Sequence, residues 1–206
     1  LGQKQVEKIT ARDPSREIKL FVGNVLMDND DHARLTKQID ALDPDIIFLV
    51  ETNSDWRGYL REIEARYPHH WLLPLEDYNG MLLYSKFPLH NITELRRVQD
   101  HIPSVRLDFT LPDGRDVTFH GVHPRPPRPE DDTKKLDKEL LIIADEIQDA
   151  DGPLIVTGDL NDVGWSSTTK RFLDVSGLRD PRRGRGLYNT FNAKNPLVRW
   201  PLDHVF

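Results

Sequence analysis

The stretch Leu154-Ile-Val-Thr-Gly-Asp-Leu-Asn161 joins a strand pattern to a polar motif. Four consecutive apolar or β-branched residues, 154–157, predict a buried strand. Gly158 then permits a tight turn, which presents Asp159 and Asn161 at the carboxyl end of the strand, where α/β sheets usually bind ligands. A carboxylate beside a carboxamide suits a site that binds a hard cation, orients water or holds an oxyanion. An Asx-turn, in which both side chains bond backbone amides, explains the motif equally well.

Length and composition restrict the class of protein. The chain has 206 residues, no cysteine and a formal net charge of −6. This length favours one large domain, and the lack of cysteine excludes disulfides and thiolate metal sites. The acidic balance makes a nucleic-acid partner possible but not favoured. A local basic segment contains Arg179, Arg182, Arg183 and Arg185; a solvated loop explains it best, although beside an active site it would suit an anionic substrate.

The chain shows neither a signal peptide nor an apolar segment long enough to cross a bilayer. It begins at Leu1 rather than Met, which is typical of a processed or excised fragment. We therefore expect a soluble domain, with the extramembrane part of a membrane-anchored protein as the alternative. Compartment and oligomeric state are not predicted. Residues 1–16 are polar and unpatterned, which predicts a linker or a disordered segment.

Apolar patterns predict strand–helix–strand units at both ends of the chain. Buried strands are predicted at 18–22, 46–50, 154–157 and 202–206. Asn29 or Asp30 is expected to cap the first helix, and Ser54 or Asp55 the second. The helices carry apolar stripes formed by Leu35, Ile39 and Leu42, by Trp56, Leu60 and Ile63, and by Leu136, Leu140, Ile143 and Ile147. A further short helix is expected near 168–175.

The segment from His69 to Val122 has a different pattern. Short apolar stretches alternate there with turn signals such as Pro112-Asp-Gly114, which is typical of antiparallel strands. Together the patterns predict an α/β fold in which two mixed sheets pack face to face and helices cover their outer faces.

Polar residues lie at the ends of the predicted strands. Taken singly, each has an ordinary explanation: Glu51 could cap a helix, His123 could be an exposed loop residue, and Asp203-His204 could be a surface ion pair. Jointly they supply the acids, amides and imidazole that Mg²⁺-assisted hydrolysis of a phosphoester needs. The full set comprises Asn24, Glu51, His123, Asp159, Asn161, Asp203 and His204.

These residues also carry a family resemblance. Asn24, Leu49-Val-Glu-Thr-Asn53, His120-Gly-Val-His-Pro124, Gly158-Asp-Leu-Asn161 and Leu202-Asp-His-Val205, in this order, resemble the endonuclease/exonuclease/phosphatase superfamily, the DNase-I-like fold. Within it, the chain is similar to a bacterial branch of hydrolases without assigned substrates. The resemblance extends over almost all of 18–206, and it implies a four-layer α/β sandwich.

The resemblance also implies roles for individual residues. Glu51 would be the principal ligand of Mg²⁺ or Mn²⁺, with Asn24 beside it as ligand, organiser or substrate contact. Asp159 would orient and activate the attacking water, and Asn161 would donate to the phosphoryl oxygens. His123 would stabilise the transition-state charge and contact the substrate. The remaining acid, which would be a second metal contact or an orienter of a histidine, is Asp203.

The last motif leaves two interpretations open. Relatives carry a further Ser-Asp-His segment after the strand that Leu202-Asp-His-Val205 resembles, and this chain stops at Phe206. On the favoured interpretation Asp203 is the acid of the penultimate strand, His204 is incidental, and the domain 17–206 lacks its final strand. This interpretation is favoured because Tyr188-Asn-Thr-Phe191 precedes the motif at the expected place. On the other, Asp203-His204 is itself the terminal catalytic pair.

The predicted function is hydrolysis of a phosphodiester or phosphomonoester with a divalent metal. The substrate could be nucleic acid, lipid or a small phosphate, since fold analogy does not choose among them. The alternative function is a catalytically degenerate module that binds metal or phosphate. The expected partner in either case is a phosphate ester.

Overall fold

The computed structural model describes residues 17–125, 134–182 and 202–206, and for 134–137 the backbone only. Within these ranges the elements alternate as the sequence patterns predict. The strands are β1 (Leu20–Asn24), β2 (Ile46–Val50), β3 (His69–Leu73), β4 (Met81–Ser85), β5 (Leu89–Leu95), β6 (Ser104–Thr110), β7 (Asp116–Val122), β8 (Leu154–Asp159) and β9 (Asp203–Val205). The helices are α1 (His32–Leu42), α2 (Ser54–Tyr59), α3 (Lys134–Ile147) and α4 (Ser167–Ser176), and a 3₁₀ turn at Leu60–Ile63 follows α2.

The strands form two mixed sheets. The first has the order β1-β2-β4-β3 and the second β5-β6-β7-β8-β9. Each contains one parallel pair, β1 with β2 and β7 with β8, while the other pairs are antiparallel. In a parallel pair both carboxyl ends lie at the same edge of the sheet. The segments after β1 and β2 therefore meet, and so do the segments after β7 and β8.

Strand β2 shows how the layers are built. All five of its residues are buried, and their side chains alternate between two cores. Ile46, Phe48 and Val50 pack between the sheets, against side chains of β6 and β7. Ile47 and Leu49 pack on the other side, with residues of α1 and α2. An uninterrupted apolar strand is what burial on both faces requires.

The outer face of the second sheet is covered by α3 and α4. Leu140 and Ile143 of α3 and Phe172 of α4 pack with Val122 and Val156 of the sheet. The order of layers is therefore helix, sheet, sheet, helix. The predicted four-layer α/β sandwich is confirmed.

Helix starts were predicted one or two residues from their true positions. The cap of α1 is Asp31, whose carboxylate accepts from the Arg34 amide, and not Asn29 or Asp30. The Asn29 side chain instead donates to the Val25 carbonyl and accepts from the Asp31 amide. Side chains that can bond several backbone groups make such boundaries ambiguous in sequence.

The cap of α2 was also misplaced. Asn53, rather than Ser54 or Asp55, accepts from the Trp56 amide. A second correction concerns Leu42, which was placed on the buried stripe of α1 and is 55% exposed. Leu42 is the last residue of the helix, where the chain already turns away into β2.

Strand boundaries also moved. β1 runs from Leu20 to Asn24 rather than over 18–22, the apolar stretch at Ile92–Val98 overlaps β5 at Leu89–Leu95, and β3 was not predicted as a separate strand. Predictions for 1–16, for the Leu136 side chain, for Arg183 and Arg185, and for 188–191 lie outside the described residues.

Candidate active site

Asn24 holds two carboxylates together at the edge where both sheets end. Its Nδ2 donates to Glu51 Oε1 at 2.6 Å and to Asp159 Oδ2 at 3.0 Å. The first contact follows from the parallel pairing of β1 with β2, which sets Asn24 beside Val50, the residue before Glu51. The second contact joins the two sheets. The Oδ1 atom of Asn24 faces away and accepts from the Leu26 amide at 2.9 Å.

Gly158 has a different role from the predicted turn. It lies inside β8, with φ of 147°, and a Cβ atom there would stand 1.8 Å from the Val122 carbonyl oxygen. Glycine is therefore needed because two backbones approach closely, not because the chain reverses. The strand continues through Asp159, so this carboxylate is carried on a buried strand rather than on a loop.

The carboxylate of Asp159 forms an Asx-turn and also contacts Asn24. Its Oδ1 accepts from the Asn161 amide at 2.9 Å, which is the Asx-turn. Its Oδ2 accepts from Asn24. The Asn161 side chain donates to the Pro124 carbonyl at 2.9 Å, which ties the loop after β8 to the end of β7. The Asx-turn and a place in the candidate site are therefore compatible for this residue.

Two polar residues of the site have left-handed backbones. The φ angle is 57° at Glu51 and 49° at Asn161. Asparagine tolerates this region, whereas for glutamate it is uncommon and costs on the order of 1 kcal/mol. Glu51 directly follows β2 and Asn161 lies two residues after β8, so the conformation turns the chain just past each strand end.

His123 is buried beside the two acids without a hydrogen-bond partner. It follows β7, is 5% exposed, and neither ring nitrogen has a partner among the described residues. Its Nε2 lies 3.8 Å from Glu51 Oε1, which is too long for a hydrogen bond. Burial lowers the pKa of His123, and the charges of Asp159 and Glu51 offset this only in part. A neutral imidazole with free nitrogens is therefore available to a ligand.

Asp203 lies opposite Asp159 in the antiparallel pairing of β8 with β9. Residues directly opposite in such a pair project from the same face, so these two acids are neighbours. Like charges in that arrangement are destabilising unless a cation or a proton intervenes. The backbone carbonyl of Asp203 accepts from Nη1 of Arg182 at 3.1 Å.

His204 occupies the other face of β9 and is fully engaged. Its Nε2 lies 2.8 Å from the Asp162 carbonyl oxygen, and its Nδ1 lies 2.6 Å from Nη2 of Arg182. A carbonyl only accepts and a guanidinium only donates, so the proton is on Nε2 and the ring is neutral. Burial and the Arg182 charge lower the pKa of His204, which agrees with this tautomer.

Asp180 holds Arg182 in place. The Arg182 Nε and Nη2 donate to its two carboxylate oxygens at 3.0 and 3.1 Å, in the bidentate geometry that suits a guanidinium. Burial raises the pKa of Asp180, but the hydrogen bonds and charge of Arg182 outweigh it and leave the pKa below its usual range. We refer to Asp162, Asp180, Arg182 and His204 as the arginine network.

This network was not predicted from the sequence. Arg182 was grouped with a solvated basic loop, and Asp162 was not singled out. In the structure the Asp162 side chain accepts from Ser166 and Thr169 at the start of α4. Asp162 next to the Gly158-Asp-Leu-Asn161 motif was the available signal, since aspartate side chains in loops often form local hydrogen bonds.

The donor set suits a small hard cation. Glu51, Asp159 and Asp203 offer carboxylate oxygens, and Mg²⁺ usually takes one or two carboxylates with water and substrate phosphate completing its shell. In the described ranges no group of three or more His, Asp or Glu side chains is arranged so that it could hold a metal ion, so any metal here would be held by fewer side chains. Asn24 turns its amide nitrogen, not its oxygen, toward the acids.

A second buried polar cluster lies between the second sheet and α3, away from this site. Burial raises the pKa of Glu139 to about 7 and lowers that of His120 to about 4. Arg97 is near both; it donates to Ser104 at 2.7 Å and to Glu146 at 2.6 Å. The cluster contributes no group to the cleft after the strands.

The chain belongs to the Endonuclease/Exonuclease/phosphatase family, whose model matches residues 23–206. Members of this family are hydrolases that act on phosphoesters, and they generally use divalent metals. The predicted family is thereby confirmed. A comparison with curated proteins found no match. Within the described ranges no helix is long and apolar enough to span a bilayer.

Solved structures with the same fold differ widely in sequence. Danio rerio TDP2 in complex with a single-strand DNA product superposes with a TM-score of 0.73 at 16% identity, over 91% of this chain and 82% of that one. The human nocturnin catalytic domain with bound sulfate has a TM-score of 0.69 at 19% identity, over 91% and 81%. An endonuclease/exonuclease/phosphatase from Beutenbergia cavernae has 0.69 at 19% identity, over 92% and 63%.

Proposed function

We propose that the protein hydrolyses a phosphoric ester with Mg²⁺ or Mn²⁺ at the cleft formed by Asn24, Glu51, His123, Asp159 and Asn161. The observation that carries the proposal is the amide of Asn24, which holds acids from both sheets next to a buried imidazole that has no hydrogen-bond partner among the described residues. A purely structural role would leave no reason to bury two free ring nitrogens beside two acids, since each unsatisfied polar group costs roughly 1–3 kcal/mol.

Glu51 would hold the metal, with Asp203 as the second contact. The bound metal would polarise the phosphoryl group and neutralise charge that develops on its oxygens. Asn24 keeps Glu51 and Asp159 in register across the two sheets. That alignment fixes the acids before substrate arrives, so no reorganisation is needed during the reaction.

Asp159 would orient the attacking water and accept its proton. One carboxylate oxygen is fixed by the Asn161 amide and the other by Asn24, and the second lone pair of Oδ2 would accept the proton of the water. Asn161 has a second N–H besides the one bonded to Pro124, and we assign it to a phosphoryl oxygen. His123, neutral and unpartnered, would donate one hydrogen bond to the same group.

The test is hydrolysis of bis(p-nitrophenyl) phosphate and p-nitrophenyl phosphate with and without Mg²⁺ or Mn²⁺. Glu51→Gln and Asp159→Asn are expected to lower kcat by about 10²- to 10⁴-fold, because each removes a charge that acts on the reacting group. Glu62→Gln and Asp151→Asn are matched controls. Glu62 is exposed on the 3₁₀ turn, and Asp151 precedes the amino end of β8, away from the cleft.

Full activity in Glu51→Gln, or activity that survives EDTA, would contradict the proposal. The degenerate-module alternative predicts a different outcome. Millimolar Mg²⁺ or Mn²⁺ would raise the melting temperature by mass action, and no ester would be hydrolysed.

A further inference from the structure

Two exposed apolar side chains flank Glu51. Leu26 is 54% exposed and Tyr78 is 42% exposed, although most large apolar side chains of the described chain are buried. Both lie on loops at the carboxyl edge of the first sheet, after β1 and before β4. We call this pair the apolar lip.

Backbone hydrogen bonds fix the lip next to the site. The Val25 amide donates to the Val50 carbonyl, which places Leu26 alongside Glu51. On the other side, the Thr52 amide donates to the Gly80 carbonyl at 3.2 Å. A Cβ atom at Gly80 would stand 1.8 Å from the Thr52 backbone oxygen. The backbone of the Tyr78–Gly80 loop is therefore in close contact with the segment that follows Glu51.

The two loops are tied to each other as well. Tyr78 Oη donates to the Asp28 carboxylate, two residues beyond Leu26. The Leu26 carbonyl accepts from the Asn29 amide at 2.8 Å, and its own amide donates to Asn24. Both side chains are therefore presented from ordered turns.

The backbone conformation of both residues is uncommon. The φ angle is 58° at Leu26 and 65° at Tyr78, a region that side chains other than Gly, Asn and Asp rarely adopt. Tyr78 has a hydrogen bond to Asp28, whereas Leu26 leaves more than half of its surface in water and so gains little packing in return for this strain.

Charge around the lip restricts what could bind there. The segments 25–31 and 74–80 hold five exposed acids and no lysine or arginine: Asp28, Asp30, Asp31, Glu76 and Asp77. A polynucleotide laid across this lip would bring its neighbouring phosphates against these carboxylates, and repulsion between them would weaken binding. An uncharged group would meet no such penalty.

We propose that Leu26 and Tyr78 form a subsite for an uncharged, apolar ester group of the substrate, with the phosphoryl group at His123 and Glu51. The inference rests on the proposed function, because it takes that cleft as the phosphoryl site. It narrows the substrate class to phosphoesters whose neighbouring group is alkyl or aryl rather than a charged polynucleotide.

The test is calorimetric binding of phosphonates to the full chain with Mg²⁺ or Mn²⁺. Phenylphosphonate is expected to bind about tenfold more tightly than methylphosphonate, since the lip removes part of a ring from water. Phosphonoacetate, which carries a carboxylate instead, should bind more weakly than methylphosphonate. Comparison of n-octylphosphonate with phenylphosphonate shows whether the subsite prefers alkyl or aryl groups.

Variants separate the lip from general surface effects. Leu26→Ser is expected to lower the phenyl-to-methyl affinity ratio at least threefold, as is Tyr78→Ser. Leu42→Ser is the matched control, because Leu42 is equally exposed and lies next to the amino end of β2, at the opposite edge of the sheet. Leu26→Gly should raise the melting temperature while lowering the ratio, because glycine adopts positive φ without strain.

Three results would overturn the subsite. Phenylphosphonate and methylphosphonate could bind with equal affinity, neither could bind, or the phenyl-to-methyl affinity ratio could be unchanged in Leu26→Ser. A lowered melting temperature in Leu26→Gly would also overturn it, since it would show that Leu26 stabilises the fold. A phenyl-to-methyl ratio near ten in a protein that hydrolyses no ester would support the subsite and overturn the proposed function.

Discussion

His123 and His204 are buried on adjacent parts of the same sheet, at 5% and 1% exposure, yet their surroundings are opposite. Both nitrogens of His204 are bonded within the arginine network, to Arg182 and to the Asp162 carbonyl. Neither nitrogen of His123 has a partner in the described part of the chain. Burial alone therefore does not distinguish a histidine with open nitrogens from one whose nitrogens are both bonded.

The difference shows how the site divides its tasks. The arginine network satisfies its own polar groups and connects the loop after β8 to β9, which carries Asp203. The cleft leaves hydrogen-bonding capacity open at His123 and places Asp159 opposite Asp203. The arginine network, whose polar groups satisfy one another, can hold the cleft residues in position. The cleft residues gain their remaining hydrogen-bond partners only when a ligand binds.

The largest expected effect comes from removing the open histidine. His123→Gln should lower kcat about 10²- to 10³-fold, because a donor to the developing charge is lost. The free energy of unfolding should change by less than about 1 kcal/mol, since no internal hydrogen bond is broken. Kinetics with bis(p-nitrophenyl) phosphate and chemical denaturation measure the two quantities. If His123→Gln were destabilised but fully active, His123 would have a structural role and the proposed catalytic role would be contradicted.

The next effect comes from opening the arginine network. Arg182→Gln should lower the free energy of unfolding by roughly 2–3 kcal/mol, because it leaves Asp180 without its cation and His204 without its donor. Urea denaturation measures the change. Arg179→Gln, at an exposed position three residues away, is the control and should change it by less than about 0.5 kcal/mol. Equal stability of the two variants would contradict the structural role.

The smallest effects concern His120, a third buried histidine that lies outside the cleft. Its pKa is lowered by burial from 6.5 to about 4, so the unfolded chain binds the extra proton first and stability rises with pH across that window. Glu139 has its pKa raised by burial from 4.5 to about 7, so the folded state binds the extra proton and stability falls as pH rises through this window.

The two opposing contributions overlap, and single variants should separate them. In Glu139→Gln stability should rise by about 1–2 kcal/mol from pH 4 to 6.5, and in His120→Asn it should fall by a similar amount from pH 4.5 to 7. Denaturation across pH gives both slopes. Catalytic activity at pH 7 should stay within twofold in His120→Asn, because His120 lies outside the cleft. A large loss of activity would contradict this placement.

Much of the fold followed from local patterns. The five apolar residues of β2 predicted burial on two faces, and the alternation of strands with amphipathic helices predicted the layers. Helix starts were less certain because Asn29, Asp30 and Asp31 can each cap a helix, and only the rest of the chain selects one. The exposure of Leu42 was missed because an apolar stripe continues to the last residue of a helix even where the chain leaves the core.

The candidate site was predictable in its members but not in its contacts. Asn24, Glu51 and Asp159 were singled out because each ends a strand, and the parallel pairs bring such ends together. Their sharing of one amide nitrogen depends on the packing of one sheet against the other, over a separation of 135 residues between Asn24 and Asp159. No local pattern encodes that distance.

The sequence by itself determined which strands are buried, which family the chain resembles and which polar residues end those strands, because these depend on periodicity and on motifs within a few residues. Only the tertiary structure decided that Asp159 forms an Asx-turn and also contacts Asn24, and that Gly158 allows two backbones to approach closely. It also decided that both ring nitrogens of His204 are bonded, whereas those of His123 have no partner among the described residues. Those outcomes depend on which groups, far apart in the sequence, come within about 3 Å of each other. The packing of the folded chain sets these distances, and local sequence preferences do not.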